Sequence, residues 1–578
     1  MKLEFQKGSR SKILAAIVMI AMFVFVMRLF YLQIIQHDYY VGLADKEQIK
    51  RLTIPASRGL IYALDGQTPV PLVMNQTVYT VFADPKVVIN GSKVIEVIRR
   101  VAGGNARSNL EALLSKKETR YQILATKITR SQADKIKSEK LKGLGFQQES
   151  RRVYPEVSLA AQTLGFVDSN GNGQYGIEGK LNNRLTGTDG LLQSVTDVSD
   201  VPLTIGKNNI NKPAVNGENI VLTVDRNVQS KVEKALADGL TRTGATRGSV
   251  IVMDPQTGKI MAMANLPTYS PAEFGEVQDA AAFNNSVVSA PYEPGSDVKV
   301  LTMATGIDKG VVSASSTYVN TDHIRVEDRV ISNATLGQTG AITFQHALNW
   351  SLNTGFVTIA ERLGNGTSIT KGARDTMYDY FYNKFKLGQL TGVEVSGEAV
   401  GTVVSPDSEE GNAVRYSNMS FGQGLDATMI QVSAAFCSIV NGGKYYKPTV
   451  IAGTVDKSGK YTANKVAAPT TTVSKSTADQ TREMTHVARS TFYSSVDKPG
   501  YYIGGKTGTS QVIKNGVYSD TETVGTYLGF GGGDVSRYVI MVQVSGDNKE
   551  LQGAKDALPI FTDISNWMID YLKIQPKA

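Results

Sequence analysis

A break in the chain at Pro294-Gly295 dictates much of what surrounds it. These residues interrupt any regular element, and the apolar run Val300-Leu301-Thr302-Met303-Ala304-Thr305 beyond them predicts a helix. In the stretch Tyr292-Glu293-Pro294-Gly295-Ser296-Asp297-Val298-Lys299, Ser296 then falls in the first helical turn. Residues three apart share a helix face, so the Lys299 amine is within reach of the Ser296 hydroxyl. A hydroxyl becomes a nucleophile when a base takes its proton, and a neutral lysine amine can serve as that base. The open N–H groups of the helix start add positive potential where an oxyanion would form. Taken alone, Ser-x-x-Lys also fits a solvated helix face.

Two later segments extend this chemistry. Ser351-Leu352-Asn353 lies inside Ala347-Leu348-Asn349-Trp350-Ser351-Leu352-Asn353-Thr354-Gly355, and Lys506-Thr507-Gly508-Thr509-Ser510 follows Gly504-Gly505. A lysine base needs a lowered pKa, which burial beside a second cation provides. Gly505 and Gly508 flank Lys506 and Thr507 on a predicted strand edge, where absent side chains admit a substrate backbone. An extended peptide can pair with such an edge. Individually, Ser351 and Asn353 can bridge a helix turn, and Lys506 can be an edge lysine that blocks aggregation.

The chain has 578 residues, too many for one core, so two or more domains are expected. Its formal charge of +8 is spread along the chain without a long basic block, which gives a nucleic-acid partner little support. The excess suits work beside anionic lipid or wall polymer. Cys437 is the only cysteine, which excludes an intrachain disulfide and a cysteine metal cluster. His37, His323, His346 and His486 are scattered without ligand spacing, so no metal or other cofactor is expected.

Lys2, Lys7, Arg10 and Lys12 precede an apolar run from Ile13 to Met27, which resumes after Arg28 through Ile35. A bilayer core needs about 20 apolar residues as helix. The run before Arg28 has signal-peptide length, but no small-x-small cleavage site follows it directly. A retained anchor over 13–35 is favoured, with 1–12 cytoplasmic and the rest outside. Residues 38–215 read as a mixed domain, with strand signals at Arg58-Gly59-Leu60-Ile61-Tyr62 and Val78-Tyr79-Thr80-Val81-Phe82-Ala83. About 90–142 looks helical and charged, either a lobe with its own core or a solvated spacer. Asp168-Ser169-Asn170-Gly171-Asn172-Gly173 has calcium-loop composition but lacks the ligand spacing, and a plain turn is expected. From 216 the texture is that of one compact domain. Asp225 caps a helix from Asn227 to Leu236, and Asp254-Pro255-Gln256-Thr257-Gly258 turns between two apolar strands. A mostly helical stretch runs to about 440, ended by Asn441-Gly442-Gly443. Strands at 526–530 and 538–544 and a helix over about 555–573 complete one sheet covered by helices.

The Ser-x-x-Lys, Ser-x-Asn and Lys-Thr-Gly segments, in this order, resemble the set of the serine acyl-transferases that react with penicillin. Together with the anchor, Arg58-Gly59-Leu60-Ile61-Tyr62, Gly176-Ile177-Glu178, and Gly422-Gln423-Gly424 with Thr428 and Gln431, the chain resembles a class B penicillin-binding protein, a monofunctional peptidoglycan transpeptidase. The resemblance implies a transmembrane helix, an elongated α/β pedestal over 38–215, and a transpeptidase domain over 216–578 with a central antiparallel sheet covered by helices.

It also implies roles. Ser296 attacks the penultimate D-Ala carbonyl of a stem peptide and expels the last D-Ala. Lys299 is the base, Ser351 relays the proton to the leaving amine, and Asn353 holds Lys299 and the peptide backbone. Lys506 supplies positive potential, and Thr507, Gly508 and Thr509 form the carboxylate-binding edge. The N–H groups of Ser296 and Thr509 form the oxyanion hole. β-Lactams acylate the same serine. The implied partner is a membrane-embedded glycan polymerase of the SEDS type, with other division or elongation proteins. Asp297 and Val298 depart from the small polar and aromatic residues expected between Ser296 and Lys299. Adjacent helical positions do not face each other, so Asp297 is expected to point away. Two other readings stand beside this one: a β-lactamase or β-lactam sensor, with Glu409 or Glu410 as deacylating base, and a non-catalytic wall scaffold.

Overall fold

The computed structural model describes residues 9–41, 49–195, 210–514 and 517–577. The chain divides into two compact units, Met1–Ser57 with Gly187–Gly217, and Arg58–Thr186 with Glu218–Ala578.

In the first unit the helix Ser9–Phe30 continues through a wider turn, Tyr31–Ile35. An 18-residue window within Arg10–Ile35 has a mean hydropathy of 2.7 and none of it is buried in the protein. Among the described residues it is the one helix long and apolar enough to cross a membrane. Lys2 and Lys7 lie outside the described residues. A three-stranded antiparallel sheet places Gly190–Val195 between Ile49–Ile54 and Ile210–Lys212.

The second unit holds two large sheets. The first runs Tyr461–Ala463, Ile451–Val455, Asn219–Asp225, Ile61–Asp65, Thr68–Ala83, Gln122–Thr129, with Leu144–Val153 also paired to Thr68–Ala83. Asn219–Asp225 lies parallel to Ile61–Asp65. The predicted boundary at 215/216 therefore does not separate two sheets, because strands from 219 and 451 onward complete the sheet begun at 61.

The charged stretch about 90–142 is a lobe with its own core, in which Val94, Val97, Ile98, Leu110, Leu124, Ile128 and Ile136 are buried together. It is not helical throughout. Gln122–Thr129 is a strand whose alternate residues Leu124 and Ile128 enter that core. Thr129 closes the strand and caps the next helix, accepting from Gln132 N while its own N–H reaches Gln132 Oε1 at 2.9 Å.

Glu178 is fully buried between two arginines. Arg58 Nε lies 2.7 Å from Oε2 and Arg152 Nε 2.7 Å from Oε1. Arg58 Nη1 also donates to Asn182 and Thr186, and Arg152 Nη1 to Asn75. The Arg58 and Glu178 segments singled out in the sequence thus meet in one cluster. The Asp168 segment is a turn, with Asp168 Oδ1 accepting from the N–H groups of Asn170 and Asn172.

The second large sheet has five antiparallel strands in the order Ile260–Leu266, Arg247–Met253, Ser536–Ser545, Val517–Gly532, Tyr502–Lys514. Arg247–Met253, Ile260–Leu266 and the centre of Ser536–Ser545 read as continuous apolar runs because both faces are covered. Ile251, Met253, Leu528 and Met541 join the core with the helices Lys299–Asp308 and Met429–Val440. Val250, Val252, Tyr527 and Val542 join the core with Arg226–Thr243 and Leu558–Tyr571. Asp225 caps Arg226–Thr243 by accepting from Asn227 N and Val228 N. Cys437 is buried in this assembly. The stretch to 440 is less helical than its sequence suggests. Two small antiparallel strand pairs, Thr317–Asn320 with Gly340–Thr343 and, between them in the chain, the hairpin His323–Val326 with Arg329–Ser332, precede the next helices.

Candidate active site

Ser296 lies in a 3-10 turn, Gly295–Val298, that runs directly into the α-helix Lys299–Asp308. The turn is held from behind. Gly295 N–H donates to Gly422 O at 3.0 Å, and a Cβ on Gly422 would fall 1.9 Å from Gly295 O. Only glycine permits that backbone contact. Glu293 Oε1 accepts from Gly424 N at 2.6 Å and from the Tyr518 hydroxyl at 3.1 Å, locking the same loop. A Cβ on Gly295 would meet Thr509 O at 3.0 Å, which shows how closely the serine turn abuts the Tyr502–Lys514 edge strand.

Lys299 is fully buried. Its Nζ donates to Ser351 O at 2.6 Å, Ser351 Oγ at 3.0 Å and Asn353 Oδ1 at 2.8 Å. Three donors meet three acceptors, so the lysine is satisfied entirely by the Ser351–Asn353 loop. The expected hydrogen bond back to Ser296 is not formed, and the Ser296 hydroxyl has no partner among the described residues. Ser351 occupies the bend between the helices Phe344–Asn349 and Asn353–Arg362 with φ +57°, a left-handed conformation that costs a non-glycine residue about 1 kcal/mol. The bend turns both the carbonyl and the hydroxyl of Ser351 onto one amine. Asn353 Nδ2, expected to bind a peptide backbone, donates to Ser332 O at 2.8 Å.

Lys506 is only 4 % exposed, unlike a solvated edge lysine. Its Nζ donates to Thr507 O at 2.8 Å and lies 3.4 Å from Thr507 Oγ1. Thr507 is half-buried and Thr509 exposed, with Thr509 Oγ1 accepting from Gly553 N at 3.2 Å. The glycines of this strand have a different reason from the one expected. A Cβ on Gly505 would strike the Tyr527 ring, and one on Gly508 would lie 2.2 Å from Thr526 Oγ1 and 2.9 Å from Asp297 Oδ2. They make room for the protein's own interior.

Asp297 does point away from Lys299, but not to solvent. It is completely buried beneath the neighbouring strands, with Oδ2 accepting from Thr526 Oγ1 at 2.7 Å and Oδ1 without a partner. Among the described residues neither Lys299 nor Lys506 forms an ion pair. Burial, with the charge of Lys506 beside it, holds the Lys299 ammonium well below the ordinary lysine range. Burial lowers Lys506 to about 8, opposed by the Asp297 carboxylate, and burial raises Asp297 to about 7. A shift in this direction favours the neutral amine that a general base requires. Glu409 and Glu410 are exposed, and Glu410 is engaged with Arg415 at 2.9 Å.

Sequence reasoning gave no role to Glu293, Thr526, Ser332 or Gly553. Glu293 adjoins the Pro294-Gly295 break, which was a usable signal. The other three act from distant segments and leave no local mark.

The sequence and the fold have known counterparts. Residues 248–566 match the "Penicillin binding protein transpeptidase domain" and residues 53–222 the "Penicillin-binding Protein dimerisation domain". Stage V sporulation protein D of Bacillus subtilis is 28 % identical over 95 % of this chain and 84 % of its own length. Peptidoglycan D,D-transpeptidase FtsI of Escherichia coli is 25 % identical over 98 % of this chain and 93 % of its own. A peptidoglycan synthetase structure from Bifidobacterium adolescentis shares the fold with a TM-score of 0.73 and 24 % identity, covering 92 % of this chain and 98 % of that one. With the buried lysine of its Ser-x-x-Lys segment held by Ser-x-Asn beside a Lys-Thr-Gly strand, and with both domains matched, the chain belongs to the class B penicillin-binding proteins.

Proposed function

We propose that this protein cross-links peptidoglycan as a serine D,D-transpeptidase. The observation that carries the reading is the Lys299 amine, fully buried and bonded to both Ser351 and Asn353 one turn from Ser296. Ser296 Oγ attacks the carbonyl carbon of the penultimate D-Ala, and its proton passes to Lys299. A neutral Lys299 has two N–H bonds rather than three, so it releases one of its acceptors and turns its lone pair to the serine. The N–H groups of Ser296 and Thr509 receive the oxyanion. The carbon–nitrogen bond then breaks, and Ser351 delivers the proton to the departing D-Ala amine. Lys506, Thr507 and Thr509 hold the substrate carboxylate along the strand, where Gly508 leaves room for Thr526 and Asp297 beneath. The amine of a second peptide attacks the acyl-Ser296 carbonyl and restores the hydroxyl. A β-lactam enters by the same first step and stays bound.

The Ser9–Phe30 helix suits a single membrane anchor, and Arg10 and Lys12 before the apolar run favour a cytoplasmic N-terminus with the catalytic unit outside. The partner is then a membrane-embedded polymerase of the SEDS type that supplies the glycan.

The test is the full chain in detergent with a fluorescent penicillin. A long-lived adduct that disappears in Ser296→Ala is expected. Rapid release of hydrolysed drug would make it a β-lactamase, and no adduct at all would leave a scaffold.

A further inference from the structure

The transpeptidase reading places two buried lysines in one site and asks opposite things of them. Lys299 must be without its proton to act as a base. Lys506 must keep its own to attract a carboxylate. Neither has a carboxylate in contact among the described residues, so something else must decide which amine is charged.

Asp297 is placed to decide it. Lys506 and Gly508 are alternate residues of one strand, so their Cα–Cβ directions share a face of the sheet. Asp297 lies under that face, because a Cβ on Gly508 would come within 2.9 Å of its Oδ2. Thr526, on the adjacent strand, pins Oδ2 at 2.7 Å. This leaves Oδ1 buried and unpartnered, 0 % of the residue being exposed. Lys506 meanwhile bonds only the neutral oxygens of its own neighbour, Thr507. On the helix, Asp297 and Lys299 point to different sides, and the hydrogen bonds of Lys299 all lie on the Ser351–Asn353 loop. The carboxylate is thus set against one lysine and away from the other.

We infer that Asp297 is a positioning residue that assigns the positive charge of this site to Lys506 and thereby leaves Lys299 as the neutral base. The charged and titratable groups facing it are Lys506 on the edge strand and Tyr292 in the preceding segment, and Lys506 in turn faces Lys299. The electrostatics agree, since Asp297 raises Lys506 against the effect of burial while Lys506 lowers Lys299. Val298, the other departure from the expected pattern, is buried and apolar.

The inference rests on the transpeptidase reading, and the experiment separates the two. Acylation of the full chain in detergent by a penicillin is timed from pH 6 to pH 10. Loss of the Lys506 proton predicts an alkaline fall in the wild-type rate near pH 8. Removing the carboxylate in Asp297→Asn lowers the Lys506 pKa, so the fall moves to lower pH. A shift of one pH unit makes the variant about fivefold slower at pH 8 and nearly unchanged at pH 6. Asp297→Ser, smaller than the original side chain, carries the same expectation if the amide does not fit. Thr526→Val keeps the carboxyl group but loses the hydrogen bond that favours its charged form, so its alkaline fall moves in the same direction by less than in Asp297→Asn. A profile in the Asp297 variants that keeps the wild-type shape, or drops by one factor at every pH, overturns the inference while the transpeptidase reading stands. Absence of any adduct in the wild type overturns both.

Discussion

Two clusters of buried charge sit in this molecule and behave in opposite ways. In the pedestal, both oxygens of Glu178 are bonded to arginines, each of which also donates to neighbouring side chains. Among the described residues of this cluster, Arg152 Nη2 and the neighbouring Tyr154 hydroxyl are buried without a partner. In the catalytic unit, Asp297, Lys299 and Lys506 are as deeply buried but bond only neutral groups. A buried charge in contact with its opposite is fixed, and removing one partner strands the other. A buried ionisable group without such contact escapes its desolvation by exchanging a proton, and its pKa moves toward neutrality. The first arrangement holds a scaffold, the second holds mobile protons, and enzymes concentrate the second kind where chemistry occurs.

The largest expected effect comes from taking away the catalytic charge. Lys299→Met should slow acylation by about 10³-fold or more, as expected for loss of a positioned base, and should raise the melting temperature rather than lower it. The sign follows from linkage. Lys299 is held well below its ordinary pKa, so the unfolded chain binds the proton that the folded protein releases. Its burial therefore costs stability in full below the folded pKa, and the cost fades as pH rises toward about 10.4, the ordinary lysine value. Thermal melts at pH 7 and pH 10 should show the gain of Lys299→Met shrinking at the higher pH. A loss of stability at pH 7 would break the comparison.

The pedestal should respond the other way. Glu178→Gln leaves two buried arginines without their shared carboxylate and should destabilise by about 3–5 kcal/mol. A chemical-denaturation midpoint reads the change directly, while acylation by molecules that remain folded should alter little. If Glu178→Gln proves as stable as the wild type, the distinction between the clusters is lost.

A smaller effect sharpens where strain resides. Ser351 holds φ +57° so that its carbonyl and hydroxyl converge on Lys299. Ser351→Gly and Ser351→Ala both remove the hydroxyl, but only glycine relaxes the backbone. The glycine variant should be about 1 kcal/mol the more stable in denaturant melts, with both impaired in acylation. Equal stability would place the strain elsewhere.

Much of this site was legible because its chemistry needs particular residue types at particular spacings. Ser296 to Lys299, Ser351 to Asn353 and Lys506 to Thr509 carry recognisable side chains, and local rules predicted the Asp225 cap and the glycines after Met429–Val440. What stayed hidden depends on contacts far apart in the chain. The strand Gln122–Thr129 was masked by its lysine and its polar residues, and became clear only with Thr68–Ala83 beside it. Local reasoning turned Asp297 away from Lys299 correctly, yet no local rule reveals that Thr526 and Gly508 seal it in. The purpose of Gly505 and Gly508 was misread for the same reason, since the Tyr527 ring and Thr526 come from the next strand.

The pairing of Asn219–Asp225 with both Ile61–Asp65 and Ile451–Val455 has a practical outcome. A shortened protein beginning at residue 216 would retain that strand but leave one of its flanks bare, with unmatched amides and carbonyls facing solvent. Such a flank invites a second copy to dock by strand addition. A catalytic fragment trimmed there is therefore prone to precipitate, whereas one that begins before Arg58 carries its own cover.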